Sequence, residues 1–248
     1  MPIQNDSKPG LSSEQRALRK LHLFFLCKIY GKANSLIFKG GTALDIFYGS
    51  GRFSEDLDFD CGDLNGLSEI DDAIEAFGND GEYSVLNDWG GEREMHKSFT
   101  RHVLRISNKD SGKLLDLAID YTVDAPKYEP DKLPLKCGKS LASASVMQEK
   151  EILAEKAAAI MGREKARDLY DLYFLAVVKG VHVNITDVYE KCAKEFAGKK
   201  TEYSFPLFRE RVMALKPRWK ELKPLLGNAE PYRFDDVAAS VLDIFRSI

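Results

Sequence analysis

The sequence predicts an α+β chain in which strands are confined to the first half and helices make up the second. Three observations carry this. Short β-favouring runs recur between Leu36 and Val123; Pro126, Pro130 and Pro134 then interrupt regular structure; and after Ser145 only helical periodicity remains. At 248 residues the chain has room for one large domain or two modest ones. The expected division is a strand-bearing domain over 1–125, a connection over 126–145 and a helical domain over 146–248.

Each element has its own signal. Ser12 and Gln15 form a capping-box pattern, and Leu18, Leu21, Phe25 and Ile29 recur at helical spacing until Gly31, so a first helix is expected from about Ser13 to Tyr30. Leu36, Ile37 and Phe38 form a short strand run that stops at Gly40 and Gly41, after which Thr42 can cap a helix carrying Ala43, Leu44 and Phe47. Gly49, Ser50 and Gly51 turn the chain into Leu57-Asp58-Phe59, whose alternation is that of a half-exposed strand. A helix is expected from Ser68 to Phe77, and strands from Tyr83 to Leu86 and from His102 to Ile106. Asn108 to Gly112 is a turn, which makes the strand before it and the one from Lys113 to Val123 a hairpin. Helices are then expected over 149–161, 167–178, 186–196, 208–215 and 234–245.

Composition excludes several classes. With 44% hydrophobic and 30% charged residues, 18 Gly and 9 Pro, the chain matches a folded protein rather than a disordered or collagen-like one. The longest apolar candidate, Leu21 to Tyr30, is interrupted by Lys28 and falls short of a membrane span. The opening residues lack the apolar stretch of a signal peptide, and a cytoplasmic protein is expected. Cys27, Cys61, Cys137 and Cys192 show no short pairing, so reduced thiols are expected rather than a disulfide framework or a zinc cluster. His22, His96, His102 and His182 are equally scattered.

The net charge of −3 conceals an uneven distribution. From Asp45 to Glu94 there are fifteen acidic residues against Arg52 and Arg93, whereas from Lys191 to Lys223 ten basic residues face four acidic ones. The first region repels a nucleic acid unless cations intervene; the second can hold a phosphate backbone. Trp89 and Trp219 are expected to be packing residues.

The segment from Phe38 to Asp60 carries the chemistry. Gly40 and Gly41 allow close backbone approach to a phosphate, and the helix opening at Thr42 offers it free N–H groups. Asp56 and Asp58 stand at strand spacing, hence on one face, where their mutual repulsion calls for a cation; Mg²⁺, which prefers carboxylate oxygens, is the natural one. A third acid would complete a metal site, and Asp116 and Asp120 lie on one face of a later strand, with Leu115, Leu117 and Ile119 on the other. Asp116 is the first choice, with Asp120 in a supporting or strand-end position.

This ordered combination of strand, Gly-Gly-Thr, helix, Asp-x-Asp strand and later acidic strand resembles the nucleotidyltransferase superfamily whose catalytic domain is like that of DNA polymerase β. The fuller run, with Arg52, Ser54, Asp56, Asp58 and Phe59, looks like the AbiEii/AbiGii toxin family of type IV toxin–antitoxin and phage-abortive systems. A second block supports the narrower match: Glu151 to Lys156, then Arg167, Asp168, Tyr170, Asp171 and Leu172, are similar to the family's lysine helix and its Arg-Asp-x-Tyr-Asp-Leu helix. The resemblance spans Ser35 to Phe174 and leaves the late basic region outside it.

The resemblance implies a mixed sheet flanked by helices, forming a catalytic domain over 1–125, and a C-terminal helical bundle over 146–248 that completes the active-site cleft. It implies that Gly40, Gly41 and Thr42 hold a triphosphate, the last through its hydroxyl, and that Asp56, Asp58 and Asp116 hold Mg²⁺, with Mn²⁺ as a substitute. Lys156 would reach the phosphates, Asp168 would accept a proton from or orient the attacking hydroxyl, and Arg52 and Ser54 would lie close to the nucleotide. Read without the resemblance, Glu155-Lys156 and Arg167-Asp168 are ordinary solvated helix charges, while Tyr170 and Leu172 belong to the core. The activity implied is transfer of a nucleotide from an NTP (GTP, CTP or UTP not distinguished) to an RNA 3′ end, with the tRNA acceptor end the expected target. A cognate antitoxin is the implied partner. Two other readings are NTP-dependent modification of the protein itself or of a protein partner, with Ser54 as a candidate hydroxyl, and a non-catalytic nucleotide-binding module.

Overall fold

Ser12 caps the first helix as its sequence requires: its hydroxyl accepts from the Gln15 backbone N–H, and the Gln15 side chain accepts from the Ser12 backbone N–H. In this computed structural model, which describes residues 10–32, 35–62, 65–79, 81–88, 99–195 and 202–247, the chain divides into two compact units. One holds the chain to Gly49 together with Phe53–Met147; the other holds Ser50–Arg52 and the chain from Gln148 onward.

The first unit is a seven-stranded mixed sheet with helices α1 (Ser13–Tyr30) and α3 (Asn65–Gly78). Its strands are β1 (Ile37–Lys39), β2 (Asp56–Cys61), β3 (Tyr83–Asp88), β4 (Phe99–Asn108), β5 (Leu114–Val123), β6 (Asp131–Cys137) and β7 (Ser140–Val146), ordered β3-β4-β5-β2-β1-β7-β6. Between β1 and β2, the short helix α2 (Gly40–Ala43) runs on as a wider π turn through Leu44–Tyr48. Alternation fixes the two faces of the sheet. Leu57 and Phe59 on β2, with Leu115, Leu117, Ile119 and Tyr121 on β5, point into a core shared with Leu21, Phe25 and Leu26 of α1 and Ile70 and Phe77 of α3. The acidic residues of β2 and β5 alternate with these and therefore stand on the opposite face.

Segment 126–145, expected as a connection, belongs to the sheet: β6 and β7 form an antiparallel hairpin, and β7 joins β1 in parallel through Phe38 and Val146. Pro134 is tolerated because β6 is an edge strand, where a residue without an N–H costs little. The unit boundary consequently lies at Met147, and Ser50–Arg52 belong with the helices.

A second expectation needs correction. Cys27 on α1 and Cys137 on β6 form a disulfide across 110 residues of sequence, leaving Cys61 and Cys192 as buried cysteines outside the disulfide. Spacing rules detect cysteines close in sequence, whereas this pair meets only because the end of α1 packs beside the β6–β7 edge. Among the described residues, no helix is long and apolar enough to cross a membrane.

The second unit is helical: α4 (Glu149–Gly162), α5 (Ala166–Tyr173) continuing as a π turn to Val178, α6 (Ile185–Glu195), α7 (Phe205–Ala214), a 3₁₀ stretch (Lys216–Leu225) and α8 (Phe234–Arg246). α4 is buried on nearly every side, as a central helix of a bundle is, through Ile152, Leu153, Ala154, Ala157, Ala158, Ile160 and Met161. Phe208 stacks on Phe245 at 4.6 Å, and Trp219 donates its indole N–H to the Tyr232 carbonyl at 2.7 Å, so Trp219 is a packing residue. Trp89 and His96 lie outside the described residues.

Candidate active site

β1 ends at Lys39, and the chain turns through Gly40 with φ +73°, a conformation that favours glycine. A second constraint acts at this position: a Cβ there would lie 2.8 Å from Cγ of Asp58. The glycine turn and the β2 carboxylate are thus built against each other. No side chain caps the start of α2, which leaves its first backbone N–H groups for another acceptor. Thr42 is fully buried, and its hydroxyl donates to the backbone carbonyl of Asp56. The hydroxyl expected to meet a phosphate instead pins the start of β2 to α2.

β2 and β5 run parallel with Asp56 opposite Ala118 and Asp58 opposite Asp120. This register reorders the two candidates for the third acid. Asp120 faces Asp58 directly, whereas Asp116, the first choice on sequence, lies beyond the Asp56 end of the pairing and is held by Arg105 of β4 through a two-N–H fork, 2.9 Å from Nη2. Burial, then the charge of Asp58, push the Asp120 carboxyl up to about 7; Arg101 pulls it down, and Asp56 adds to the rise. Its Oδ1 is buried with no hydrogen-bond partner, while Oδ2 receives Nη1 of Arg101 at 2.9 Å. The same guanidinium reaches Oδ1 of Asp56 at 3.4 Å. Arg101 and Arg105 were absent from the sequence-based candidates.

These donors fit a hard divalent cation. Three carboxylates lie together, one with an orphaned oxygen and an elevated pKa, which is the crowding that a bound cation relieves. Among the described residues no three acidic, histidine or cysteine side chains already form a closed ligand set. Arg101 stands between two of the carboxylates.

α1 supports this region from the core side. His22 donates its Nε2–H to the Glu55 carbonyl at 2.9 Å, immediately before Asp56, and its ring stacks on Phe53. Burial, then neighbouring Arg19, hold His22 neutral with its pKa lowered to about 3. Arg19 in turn forms a buried ion pair with Asp45.

In the helical unit, Arg52, Lys156, Asp168 and Asp171 form one buried ion cluster. Arg52 grips Asp171 with two N–H groups at 2.5 and 2.6 Å; Lys156 bridges Asp168 at 3.1 Å and Asp171 at 2.9 Å; Arg163 adds two bonds to Asp168 at 2.8 and 3.0 Å. Arg52 is 1% exposed and both aspartates are fully buried, so Lys156 and Asp168 are not solvated helix charges. Burial alone would raise Asp168, yet Lys156 and Arg163 overcome it and hold the carboxyl well below the usual range; Arg52 and Lys156 do the same for Asp171. A carboxylate held so acidic is a weak proton acceptor. Asp168 is held between two cations, Lys156 and Arg163. Two of the three Lys156 N–H donors are thereby engaged by carboxylates. Tyr170 and Leu172 are core residues as expected, and the Tyr170 hydroxyl donates to the Ser50 carbonyl.

The late basic region is partly neutralised within its own unit. Lys191 pairs with Glu151 and Glu155, Lys216 with Asp235, Arg218 with Glu221 and Glu164, and Lys223 with Glu230. Lys199 and Lys200 lie outside the described residues, as do Asp63, Asp80, Glu92, Arg93 and Glu94 of the acidic region.

The sequence profile described as nucleotidyl transferase AbiEii toxin of type IV toxin–antitoxin systems matches residues 25–240. The chain belongs to the AbiEii family. As an AbiEii protein it is a nucleotidyltransferase, and membership brings with it an NTP substrate, an antitoxin partner and, in the usual case, a divalent metal. No curated protein sequence matches this AbiEii chain. Its fold is similar to that of JHP933 from Helicobacter pylori, with a TM-score of 0.62 at 23% identity over 96% of this chain and 92% of that one. It is also similar to MenT4, the nucleotidyltransferase toxin Rv2826c of Mycobacterium tuberculosis H37Rv, with a TM-score of 0.64 at 23% identity over 94% and 84% of the two chains.

Proposed function

We propose that this AbiEii protein transfers a nucleotide from an NTP to the 3′ end of an RNA, with the tRNA acceptor end as the target and Mg²⁺, or Mn²⁺ in its place, as the cation. The observation that supports this reading is the meeting of Asp56, Asp58 and Asp120 on one face of two parallel strands, against the glycine turn at Gly40. A divalent cation held by these carboxylates would supply charge neutralisation for the triphosphate and the developing transition state.

The chain's own residues divide the remaining work. Gly40 and Gly41 present backbone N–H groups at the uncapped start of α2, where an anionic phosphate is favoured. Asp58 sets the distance between that turn and the carboxylates, because no side chain separates them. Thr42 and His22 hold the successive Asp56 and Glu55 carbonyls, so the start of β2 is fixed by the chain's own side chains. In the transfer, the RNA hydroxyl oxygen bonds to the α-phosphorus and the α–β P–O bond breaks. Pyrophosphate leaves with the electron pair, and the hydroxyl proton passes to solvent. Ser54 is buried, at 6% exposure, and gives no support to a reading in which its hydroxyl receives the phosphate.

The test is incubation of purified protein with Mg²⁺, total tRNA and each labelled NTP in turn. Label should appear on RNA with wild type and disappear with Asp58→Ala, and the NTP that labels identifies the preference. Absence of RNA labelling with all four NTPs rejects the proposal.

A further inference from the structure

A cationic side chain of the chain itself stands among these carboxylates. Arg101 stands opposite Asp120 in the β4–β5 register, donates to Asp120 Oδ2 at 2.9 Å and reaches across to Asp56 Oδ1 at 3.4 Å on β2. One guanidinium thereby spans three adjacent strands and touches two of the three carboxylates. It cannot lose its charge by deprotonation, and its planar fork suits two acceptors at once. Its compensation is incomplete, because Asp120 Oδ1 is buried with no hydrogen-bond partner. The side chain is also 45% exposed, so it can swing into water without opening the core.

The next pair along the same two strands provides a comparison. Arg105 stands opposite Asp116 and grips it with two N–H groups. That pair repeats the Arg101–Asp120 arrangement four residues along each strand, but Asp116 lies past the end of the β2 pairing, where no β2 carboxylate stands opposite.

We infer that Arg101 is an exchangeable internal counter-ion: it holds Asp56 and Asp120 in place in the metal-free protein and is displaced when a divalent cation binds them. This rests on the proposed metal-dependent transfer, and deepens it by making Arg101 a positioning residue whose charge is released on the same sheet face when the polyphosphate arrives.

The experiment compares Mn²⁺ binding by calorimetry, without NTP, for the full-length wild type, Arg101→Met and Arg105→Met, and melts each protein with and without saturating Mn²⁺. Removing the competitor should tighten Mn²⁺ binding by Arg101→Met about fivefold to tenfold, the scale set by exchanging a partly exposed ion pair. Arg105→Met should stay within about twofold of wild type. Without metal, Arg101→Met should melt below wild type; with Mn²⁺ the gap should close. Binding of Mn²⁺ by Arg101→Met alone, with none by wild type, also supports the exchange. Unchanged or weaker binding by Arg101→Met, equal tightening by Arg105→Met, or no binding by either Arg101→Met or wild type overturns it. These outcomes separate from those of RNA labelling: active wild type with unchanged Mn²⁺ affinity in Arg101→Met rejects the counter-ion alone, and tightened Mn²⁺ binding without RNA labelling rejects the transfer reading alone.

Discussion

Gly40 and Asp58 occupy one volume: a methyl group on the first would press into the carboxylate of the second, at a backbone φ of +73° that already disfavours any side chain. Gly40→Ala should lose about 1–3 kcal/mol of stability from backbone strain and, by moving Asp58, roughly a hundredfold in transfer rate. Gly49→Ala is the control, because Gly49 has φ +76° and nothing within 4 Å of its Cβ. It should lose similar stability and keep near wild-type transfer. Melting curves and the labelling assay on both variants check this.

The β2–β5 register makes Asp120, not Asp116, the partner of Asp58. Asp120→Asn should reduce nucleotide transfer by about a thousandfold, as removal of a metal-holding carboxylate does, while Asp116→Asn should cost less than about threefold. Steady-state rates at saturating NTP and Mg²⁺ decide between them. Equal losses at the two positions would falsify the assignment.

Arg52 and Asp171 are buried and bonded through two N–H groups, so removing Arg52 leaves the Asp171 carboxylate with Lys156 alone, which Asp171 shares with Asp168. Arg52→Met should destabilise the protein by about 3–5 kcal/mol in urea melts, and Arg52→Lys should recover only a minor part because it lacks the fork. Adding Asp171→Leu to Arg52→Met should restore part of the loss, since Lys156 and Arg163 then face the single carboxylate of Asp168.

His22 gives a pH dependence of definite sign. Its pKa is near 3 in the folded protein and near 6.5 when unfolded, so below about pH 6.5 the unfolded chain takes up a proton that the folded chain refuses. Stability should therefore fall with decreasing pH, by about 2 kcal/mol at pH 5 from this residue. His22→Gln keeps a donor for the Glu55 carbonyl and does not titrate; its melting temperature should vary less between pH 7 and pH 5 than that of wild type.

The elements that could be read from sequence were those with local signals. The capping box at Ser12, the helical spacing of α1 and the Asp56–Asp58 alternation each depend on residues a few positions apart, and each appears where expected, whereas the helix expected to open at Thr42 takes in the glycine pair and starts at Gly40. The hairpin turn also contained more information than its presence alone. Asn108 donates its backbone N–H to the Lys113 carbonyl, and counting outward from that closure pairs Arg105 with Asp116 and Arg101 with Asp120, a repeat of four on both strands. What could not be read was non-local. The pairing of β2 with β5 joins segments about sixty residues apart, and nothing in either strand says which aspartate faces Asp58. The β6–β7 hairpin was hidden by its prolines, which read as a connection but sit at a tolerant edge. Burial of the Arg52, Lys156, Asp168 and Asp171 charges was likewise invisible, because a charged helix residue looks solvated until its partners are placed.

The link between Cys27 and Cys137 closes a covalent ring that contains Gly40, Asp56, Asp58, Arg101 and Asp120. A protease that makes one cut anywhere within that ring leaves two polypeptides joined by the disulfide and releases no fragment. On a denaturing gel the nicked protein then runs as one full-mass band in the absence of thiol and as two bands in its presence. The carboxylate-bearing strands therefore survive a single nick as one connected molecule, and a second cut is needed before any of them can diffuse away.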